Sequence, residues 1–260
     1  MGWRARGPRV MAASCCRTRR TCAALAVALL LAPLAGARAG ESLADQLAAC
    51  KSDSAEPGAR IAACARVIDG AASDEDLRIE AYLQRGVLFE AAGDEDAAIR
   101  DYSAIIRLDP TNAVAFFNRG NAHDMKGERD AAIADYSEAI RLDPGDADAY
   151  NNRGQSYDAR GDSDLAIADY SQSILLERNN PRAFFNRALA YWSQGDAQSA
   201  IADLDQAITL DPRDADAYVS RGSLHEELGN AAAARADYRS ALKIAPNHAD
   251  ALAALARIGD

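Results

Sequence analysis

A 34-residue period runs through most of this 260-residue chain and constrains its fold more than any other feature. An alanine returns at this spacing at Ala98, Ala132, Ala166, Ala200 and Ala234. A glycine keeps the same step at Gly93, Gly127, Gly161, Gly195 and Gly229. A period of this length is typical of stacked units that bury their apolar faces only against their neighbours. The sequence therefore predicts five repeats, at residues 79–112, 113–146, 147–180, 181–214 and 215–248.

Each repeat contains two runs in which apolar residues recur at three- and four-residue steps. This spacing indicates two amphipathic helices per repeat and an all-α fold. Side chains suited to capping a helix N-terminus precede the runs. Before the first helices they are Asn112, Asp146, Asn180 and Asp214, and before the second helices they are Asp94, Glu128, Asp162, Asp196 and Asn230.

Three further positions of the repeat are nearly constant. The eighth is Gly86, Gly120, Gly154 and Gly222 in four repeats, the twenty-fourth is Tyr102, Tyr136, Tyr170 and Tyr238, and the thirty-second is Pro110, Pro144, Pro212 and Pro246. With the alanine at position 20, this pattern resembles the tetratricopeptide repeat family. The resemblance implies antiparallel helix pairs stacked into a right-handed superhelical solenoid, whose first helices line a concave groove. Ala188, Leu204 and Arg178 depart from the pattern.

The segments that flank the five repeats are predicted to close the solenoid at its ends. Residues 40–78 contain a match to the second half of the repeat, so we expect a degenerate N-terminal helical cap there. Residues 249–260 follow first-helix spacing with Leu252 and Leu255, which indicates a C-terminal capping helix over the last repeat.

Residues 1–39 have the composition of a secretory signal peptide. They carry seven arginines and no acidic residue, followed by an apolar run over residues 22–36 and then Ala37-Arg38-Ala39. We expect cleavage after Ala39 and a periplasmic or secreted protein. An uncleaved anchor is the alternative, although the run is shorter than the roughly 20 residues of a spanning helix. The pair Arg19-Arg20 leaves the export route, general or twin-arginine, open.

Two cysteines, Cys50 and Cys64, remain after the predicted signal, which holds the other three of the chain. An even pair in an exported protein predicts a disulfide between them. Two buried free thiols are the alternative.

The net charge of the exported part is strongly negative. Removing the seven arginines leaves 22 basic residues against 39 acidic ones, a net charge of −17. Such a surface disfavours nucleic acid and anionic membrane as partners, and it favours a protein or peptide of basic or mixed charge. The alternative is that the acidic excess only maintains solubility.

An arginine precedes the eighth position in every repeat, and an aspartate recurs as regularly. They are Arg85, Arg119, Arg153, Arg187 and Arg221, with Asp101, Asp135, Asp169, Asp203 and Asp237. We interpret them as an architectural ladder of charge pairs, within a repeat or between neighbouring repeats.

No set of residues in the sequence predicts catalysis, a cofactor or a metal site. His123 and His225 occupy the position that holds Tyr157 and Tyr191 in other repeats, which indicates a packing role. An enzyme would instead show a bound metal, or turnover that depends on these histidines.

The outward stripe of the first helices predicts a peptide-binding groove. Its residues in the second to fourth repeats are Phe117, Asn118, Asn121, Asp124, Asn151, Asn152, Gln155, Asp158, Arg182, Phe185, Asn186, Leu189 and Trp192. Phe185 and Trp192 lie seven residues apart and have the composition of an interface hot spot, or else they pack against neighbouring repeats.

These features predict a non-catalytic scaffold in the cell envelope that binds an extended peptide or partner helix in an acidic concave groove. A periplasmic holdase or assembly chaperone for envelope proteins is the alternative, and it would bind many unfolded clients. Self-association through the ends of the solenoid stays open.

Overall fold

A computed structural model describes residues 42–259, and thirteen α-helices make up the regular structure of that range. In chain order they are α1 (Leu43–Lys51), α2 (Pro57–Gly70), α3 (Glu75–Ala92), α4 (Glu95–Leu108), α5 (Ala113–Met125), α6 (Arg129–Leu142), α7 (Ala147–Arg160), α8 (Ser163–Leu176), α9 (Pro181–Ser193), α10 (Ala197–Leu210), α11 (Ala215–Glu227), α12 (Ala231–Ile244) and α13 (Ala249–Ile258). The predicted signal peptide lies outside the described residues.

Helices that follow one another along the chain pack against one another from α1 to α13. The first helices of neighbouring repeats also meet, as α5 meets α7 and α7 meets α9. Contacts between neighbours alone produce an extended stack, so the predicted all-α solenoid is confirmed. No helix within residues 42–259 combines the length and the apolar composition needed to cross a membrane.

The first repeat begins earlier than its sequence period suggests. Helix α3 starts at Glu75, four residues before position 79, because the Asp74 side chain accepts a hydrogen bond from the Leu77 amide. The connection from α2 is therefore confined to residues 71–74.

The predicted caps of the first helices are confirmed, and those of the second helices only in part. Asn112, Asp146, Asn180 and Asp214 each accept from the first-turn amides of the following helix. Asp94 and Asp196 do the same, whereas the side chains of Glu128, Asp162 and Asn230 make no cap hydrogen bond. Glu128 pairs with Lys126 and lies within hydrogen-bond distance of His123, and Asp162 pairs with Arg160. Neighbouring side chains therefore compete with the helix for these two carboxylates.

A glycine and a tyrosine define the closest approach of the two helices in four repeats. A methyl group on Gly154 would lie 2.8 Å from Cε1 of the buried Tyr170 ring, which is too close for any real contact. The fourth repeat has Ala188 and Leu204 at these positions, and both are fully buried. The smaller leucine leaves room for the alanine methyl, so the two departures compensate each other.

The predicted Arg–Asp ladder pairs the two helices of each repeat. Arg153 donates to both carboxylate oxygens of Asp169, at 2.7 and 2.8 Å, and Asp169 is only 6% exposed. The other pairs have the same bidentate form: Arg85–Asp101, Arg119–Asp135, Arg187–Asp203 and Arg221–Asp237.

The same arginines also reach the preceding repeat. Arg119, Arg153 and Arg187 donate through Nη1 to Ser103, Ser137 and Ser171, at 2.9–3.0 Å. Arg221 makes the corresponding bond to Asp205, at 2.6 Å. The ladder thus lies both within and between repeats.

The two ends of the described chain are closed differently. Cys50 on α1 and Cys64 on α2 are fully buried, with sulfur atoms 2.07 Å and Cα atoms 4.9 Å apart. At the other end, Ala251 and Ala254 of α13 pack against Tyr238 and Ala241. Leu255 joins this contact, but Leu252 is 48% exposed because the alanines form the inward face of α13.

Candidate peptide-binding groove

A cavity of about 350 Å³ lies on the surface formed mainly by the first helices. Its lining residues come from four consecutive repeats: Glu90 on α3, Asn121, Asp124 and Met125 on α5, Tyr136 on α6, Asn152 and Gln155 on α7, and Arg182 on α9. Because residues 92 positions apart share one cavity, stacking of the repeats creates it, and no single repeat contains it.

Five of the residues predicted from the sequence line this cavity: Asn121, Asp124, Asn152, Gln155 and Arg182. The sequence reasoning missed Glu90, Met125 and Tyr136. Glu90 precedes Asp124 by one period of 34 residues, and this register could have identified it. Tyr136 enters the sequence analysis only as a constant position of the repeat; its ring is buried, whereas its hydroxyl reaches the cavity.

Asparagine side chains form a continuous hydrogen-bonded chain that runs from the cavity into the junction between two repeats. Asn121 Oδ1 accepts from the Tyr136 hydroxyl at 2.7 Å and from Asn152 Nδ2 at 3.0 Å. Asn152 Oδ1 accepts from Asn151 at 3.2 Å, and Asn151 Oδ1 accepts from Asn186 at 3.1 Å. These amides are therefore held in fixed orientations before any ligand arrives.

One predicted groove residue, Asn151, cannot contact a ligand in this structure because it is fully buried. Its position in the repeat faces the neighbouring repeats, as its bond to Asn186 shows. Phe117 occupies the same position one repeat earlier, where it is half-buried with its ring centroid 5.9 Å from that of Tyr136. Asn151 therefore joins neighbouring repeats, whereas Phe117 packs against the second helix of its own repeat.

Phe185 and Trp192 are also more packed than an open hot spot requires. Both are half-buried against the cluster that contains Ala188, Leu204 and Leu224. The Trp192 indole N–H donates to Glu227 at 2.9 Å. The structure therefore favours the packing alternative for this pair.

The remaining predicted residues, Asn118, Asp158 and Leu189, are half-buried and do not line the cavity. Burial raises the pKa of the Asp158 carboxyl, and a hydrogen bond from Ser163 partly offsets this rise.

Charge in the cavity is only partly compensated. Asp124 Oδ1 accepts from Arg129 at 2.9 Å and from Ser156 at 2.8 Å. The cation that lines the cavity, Arg182, donates to Asp148 at 2.8 Å. Burial, followed by the negative charge of Asp124, raises the pKa of the Tyr136 hydroxyl and keeps it a neutral donor.

The histidines make local contacts in the structure. His123 Nδ1 lies 2.6 Å from Glu128, and His225 Nε2 lies 4.0 Å from Asp237. Within residues 42–259, no group of three or more His, Cys, Asp or Glu side chains is placed to hold a metal ion.

Stacked helix pairs with a polar groove define an α-solenoid of the repeat class. Models of the tetratricopeptide repeat match residues 79–112, 124–161, 154–195 and 185–249. This chain belongs to the tetratricopeptide repeat family. Members of the family are generally non-catalytic, and the fold supports a protein–protein interaction scaffold.

Solved structures of tetratricopeptide proteins share the fold. A crystal structure of MamA is 26% identical and has a TM-score of 0.59; the match covers 64% of this chain and 91% of MamA. YrrB, described as a tetratricopeptide protein with an unusual peptide-binding site, is 21% identical, with coverages of 74% and 96% and a TM-score of 0.61. A tetratricopeptide protein from Parabacteroides merdae ATCC 43184 is 18% identical, with coverages of 84% and 86% and a TM-score of 0.71.

At identities below 25%, the likeness to YrrB and to the Parabacteroides protein shows the fold alone. No curated protein sequence matches this chain significantly.

Proposed function

We propose that this protein is a non-catalytic scaffold of the cell envelope that holds an extended peptide segment in its concave groove. The observation that carries the proposal is the cavity whose lining comes from four successive repeats. A segment that follows the groove would contact each repeat in turn, and the fixed asparagine amides offer partners for its backbone. Binding to prearranged groups loses less conformational entropy than binding to mobile ones.

The partner segment has a basic or mixed charge in this proposal. Glu90 and Asp124 line the cavity together with one cation, Arg182. Arg182 is paired with Asp148 and Asp124 with Arg129, so Glu90 supplies the uncompensated negative charge. An acidic surface attracts and orients basic segments, and this attraction weakens with salt.

An envelope location rests on the signal-like composition of residues 1–39, and the adjacent Cys50 and Cys64 sulfurs support it. Disulfides persist in oxidising compartments. Cell fractionation would test this part: we expect the protein in the periplasmic or secreted fraction, with Cys50 and Cys64 protected from alkylation until a reductant is added. Recovery in the cytoplasm would contradict it.

The groove itself is tested by filling it. The exposed Gln155 lines the cavity, so Gln155→Trp obstructs the groove with little effect on the core. Gln206→Trp, at an exposed position on the second helix α10, is the matched control. The full chain and both variants are used to capture partners from envelope extract, and the captured protein is then purified and its affinity measured.

The proposal expects one saturable partner that the wild type and Gln206→Trp retain and Gln155→Trp loses. Equal binding by all three proteins would exclude the groove as the binding surface. Capture of the same broad set of unfolded proteins by all three would instead establish the holdase.

A further inference from the structure

The twelfth residue of each repeat forms a column along the groove side of the first helices. Its members, called here the position-12 residues, are Glu90, Asp124, Asp158, Trp192 and Glu226. Four of the five are acidic, but their carboxylates differ in the hydrogen-bond partners that the chain supplies. This difference is the basis of the inference below.

At the last repeat, the capping helix supplies a cation to the position-12 residue. Arg257 of α13 donates to both carboxylate oxygens of Glu226, through Nε at 2.9 Å and Nη2 at 2.8 Å. The Tyr238 hydroxyl donates to the same carboxylate at 2.9 Å. A position-12 carboxylate can therefore accept at the same time from a guanidinium of the next layer and from the tyrosine of its own repeat.

At the first repeat the same arrangement lacks its cation. The Glu90 Oε1 atom is buried and has no hydrogen-bond partner in residues 42–259, and the same is true of the Tyr102 hydroxyl. Burial raises the pKa of Glu90, and the nearby Tyr102 hydroxyl partly opposes that rise. A buried carboxylate without a partner is unfavourable, and a cation would relieve this cost.

The register of the repeats explains why the chain supplies no cation to Glu90. Arg257 follows Glu226 by 31 residues, and the residue 31 positions after Glu90 is Asn121. Asn121 has a short side chain, and its oxygen already accepts from Tyr136 and Asn152. The chain therefore provides no arginine there, and the cavity in front of Glu90 is open.

We propose that this cavity binds the guanidinium group of an arginine carried by the partner segment, in the place that Arg257 takes at Glu226. The inference rests on the proposed function and names a residue type that the groove selects. Glu90 pairs with the guanidinium where its carboxylate lines the cavity, and Met125, which is 61% exposed, lies beside the aliphatic stem of the arginine.

The test uses the full chain and three fluorescent peptides that differ at one residue: Gly-Ser-Ala-Xaa-Ala-Ser-Gly, with Xaa arginine, citrulline or lysine. Citrulline has the shape of arginine without its charge. We expect the arginine peptide to bind at least about tenfold more tightly than the citrulline peptide, as is typical of a charge-assisted hydrogen-bonded pair, and more tightly than the lysine peptide. Equal affinity for arginine and citrulline, or for arginine and lysine, would overturn the proposal.

Three variants assign the preference to Glu90. Glu90→Gln should remove it, whereas Glu177→Gln, which removes the same charge at an exposed residue after α8, should keep it. Asn121→Arg places an arginine in the register of Arg257, so it should pair with Glu90 and block the arginine peptide. An unchanged arginine preference in Glu90→Gln would refute the site, and circular dichroism verifies that each variant is folded.

The result also separates this inference from the proposed function. If Gln155→Trp loses the natural partner while Glu90→Gln binds the partner and the arginine peptide normally, the groove is correct and the arginine pocket is wrong. If none of the variants changes binding of the partner, the groove itself is wrong.

Discussion

Two regions of each repeat differ in how much their residues change along the chain. One is the layer between the two helices, and the other is the surface of the groove. The layer hardly changes: every repeat has its bidentate Arg–Asp pair, and the single exchange of Gly and Tyr for Ala188 and Leu204 is compensated. The groove changes at each step, as the position-12 residues show. The fold and the proposed recognition therefore depend on different positions, and we expect that the groove can be altered without loss of the stack.

The leading helix pair belongs to neither pattern. When Ile61 and Val67 of α2 are matched to Ile99 and Ile105, 38 residues later, Cys64 takes the place of Tyr102. It meets Cys50 of α1. The helices α1 and α2 thus approach each other through two sulfur atoms, where the repeats use glycine and tyrosine.

The largest effect that this comparison predicts comes from breaking one pair of the constant layer. Arg153→Met leaves Asp169 buried without a cation, and we expect a loss of about 3–5 kcal/mol in the free energy of unfolding. The double variant Arg153→Met/Asp169→Leu should recover most of it. Urea denaturation followed by circular dichroism measures both, and a loss below about 1 kcal/mol in the single variant would show that the layer is not structurally important.

The next effect concerns the leading pair. If the two cysteines are bonded, their reduction should cost roughly 3 kcal/mol, because the link closes a short loop in the unfolded chain. The loss of stability should be confined to α1 and α2. Their amides should therefore exchange faster with solvent, while those of α5 to α12 stay protected. Cys50→Ala/Cys64→Ala, treated with the same reductant, is the control. Identical exchange with and without reductant would indicate free thiols.

A smaller loss is expected from crowding the constant layer. Gly154→Ala places a methyl group against the Tyr170 ring and should cost about 1–3 kcal/mol. Adding Tyr170→Leu reproduces the fourth repeat and should restore part of that stability. If the double variant is less stable than either single one, the compensation inferred from Ala188 and Leu204 is wrong.

The smallest effect is expected at the groove surface. Arg257 is 61% exposed at its side chain, so Arg257→Ala should cost less than about 1 kcal/mol at neutral pH. Arg257 lowers the pKa of Glu226 below its ordinary value of 4.5. The contribution is therefore complete above pH 4.5 and disappears as the pH falls through the lowered pKa of the folded state. The stabilities of wild type and variant, measured from pH 7 down to pH 3, should converge, whereas a constant difference would exclude this ion pair as the cause.

The fold could be predicted from the sequence because the same pattern of helix-forming and packing residues occurs in five repeats. The spacing that places Gly154 and Tyr170 together does so in each repeat, and side chains such as Asn112 and Asp146 mark where helices begin. Asp162 shows the limit of such local signals. It lies at the N-terminus of α8, but its carboxylate forms an ion pair with Arg160 and does not cap the helix.

The groove was harder to predict because its lining depends on how one repeat meets the next. Asn151 and Asn152 are adjacent on one helix, yet only Asn152 lines the cavity, while Asn151 lies buried between repeats. The sequence left Trp192 open as an exposed anchor or a packing residue, and in the structure it packs toward the following repeat. Glu90 belongs to the first repeat, and its buried Oε1 atom, which has no hydrogen-bond partner in residues 42–259, distinguishes it from Asp124 and Glu226.

The arginines that bridge neighbouring repeats have a mechanical consequence. Four of them donate hydrogen bonds both to the second helix of their own repeat and to that of the preceding repeat: Arg119, Arg153, Arg187 and Arg221. Each junction between these repeats is thereby tied by hydrogen bonds to the second helices on its two sides, which couples the spacing of one repeat to that of the next. If a partner follows the groove as proposed, this spacing would favour partners whose side chains recur at matching intervals.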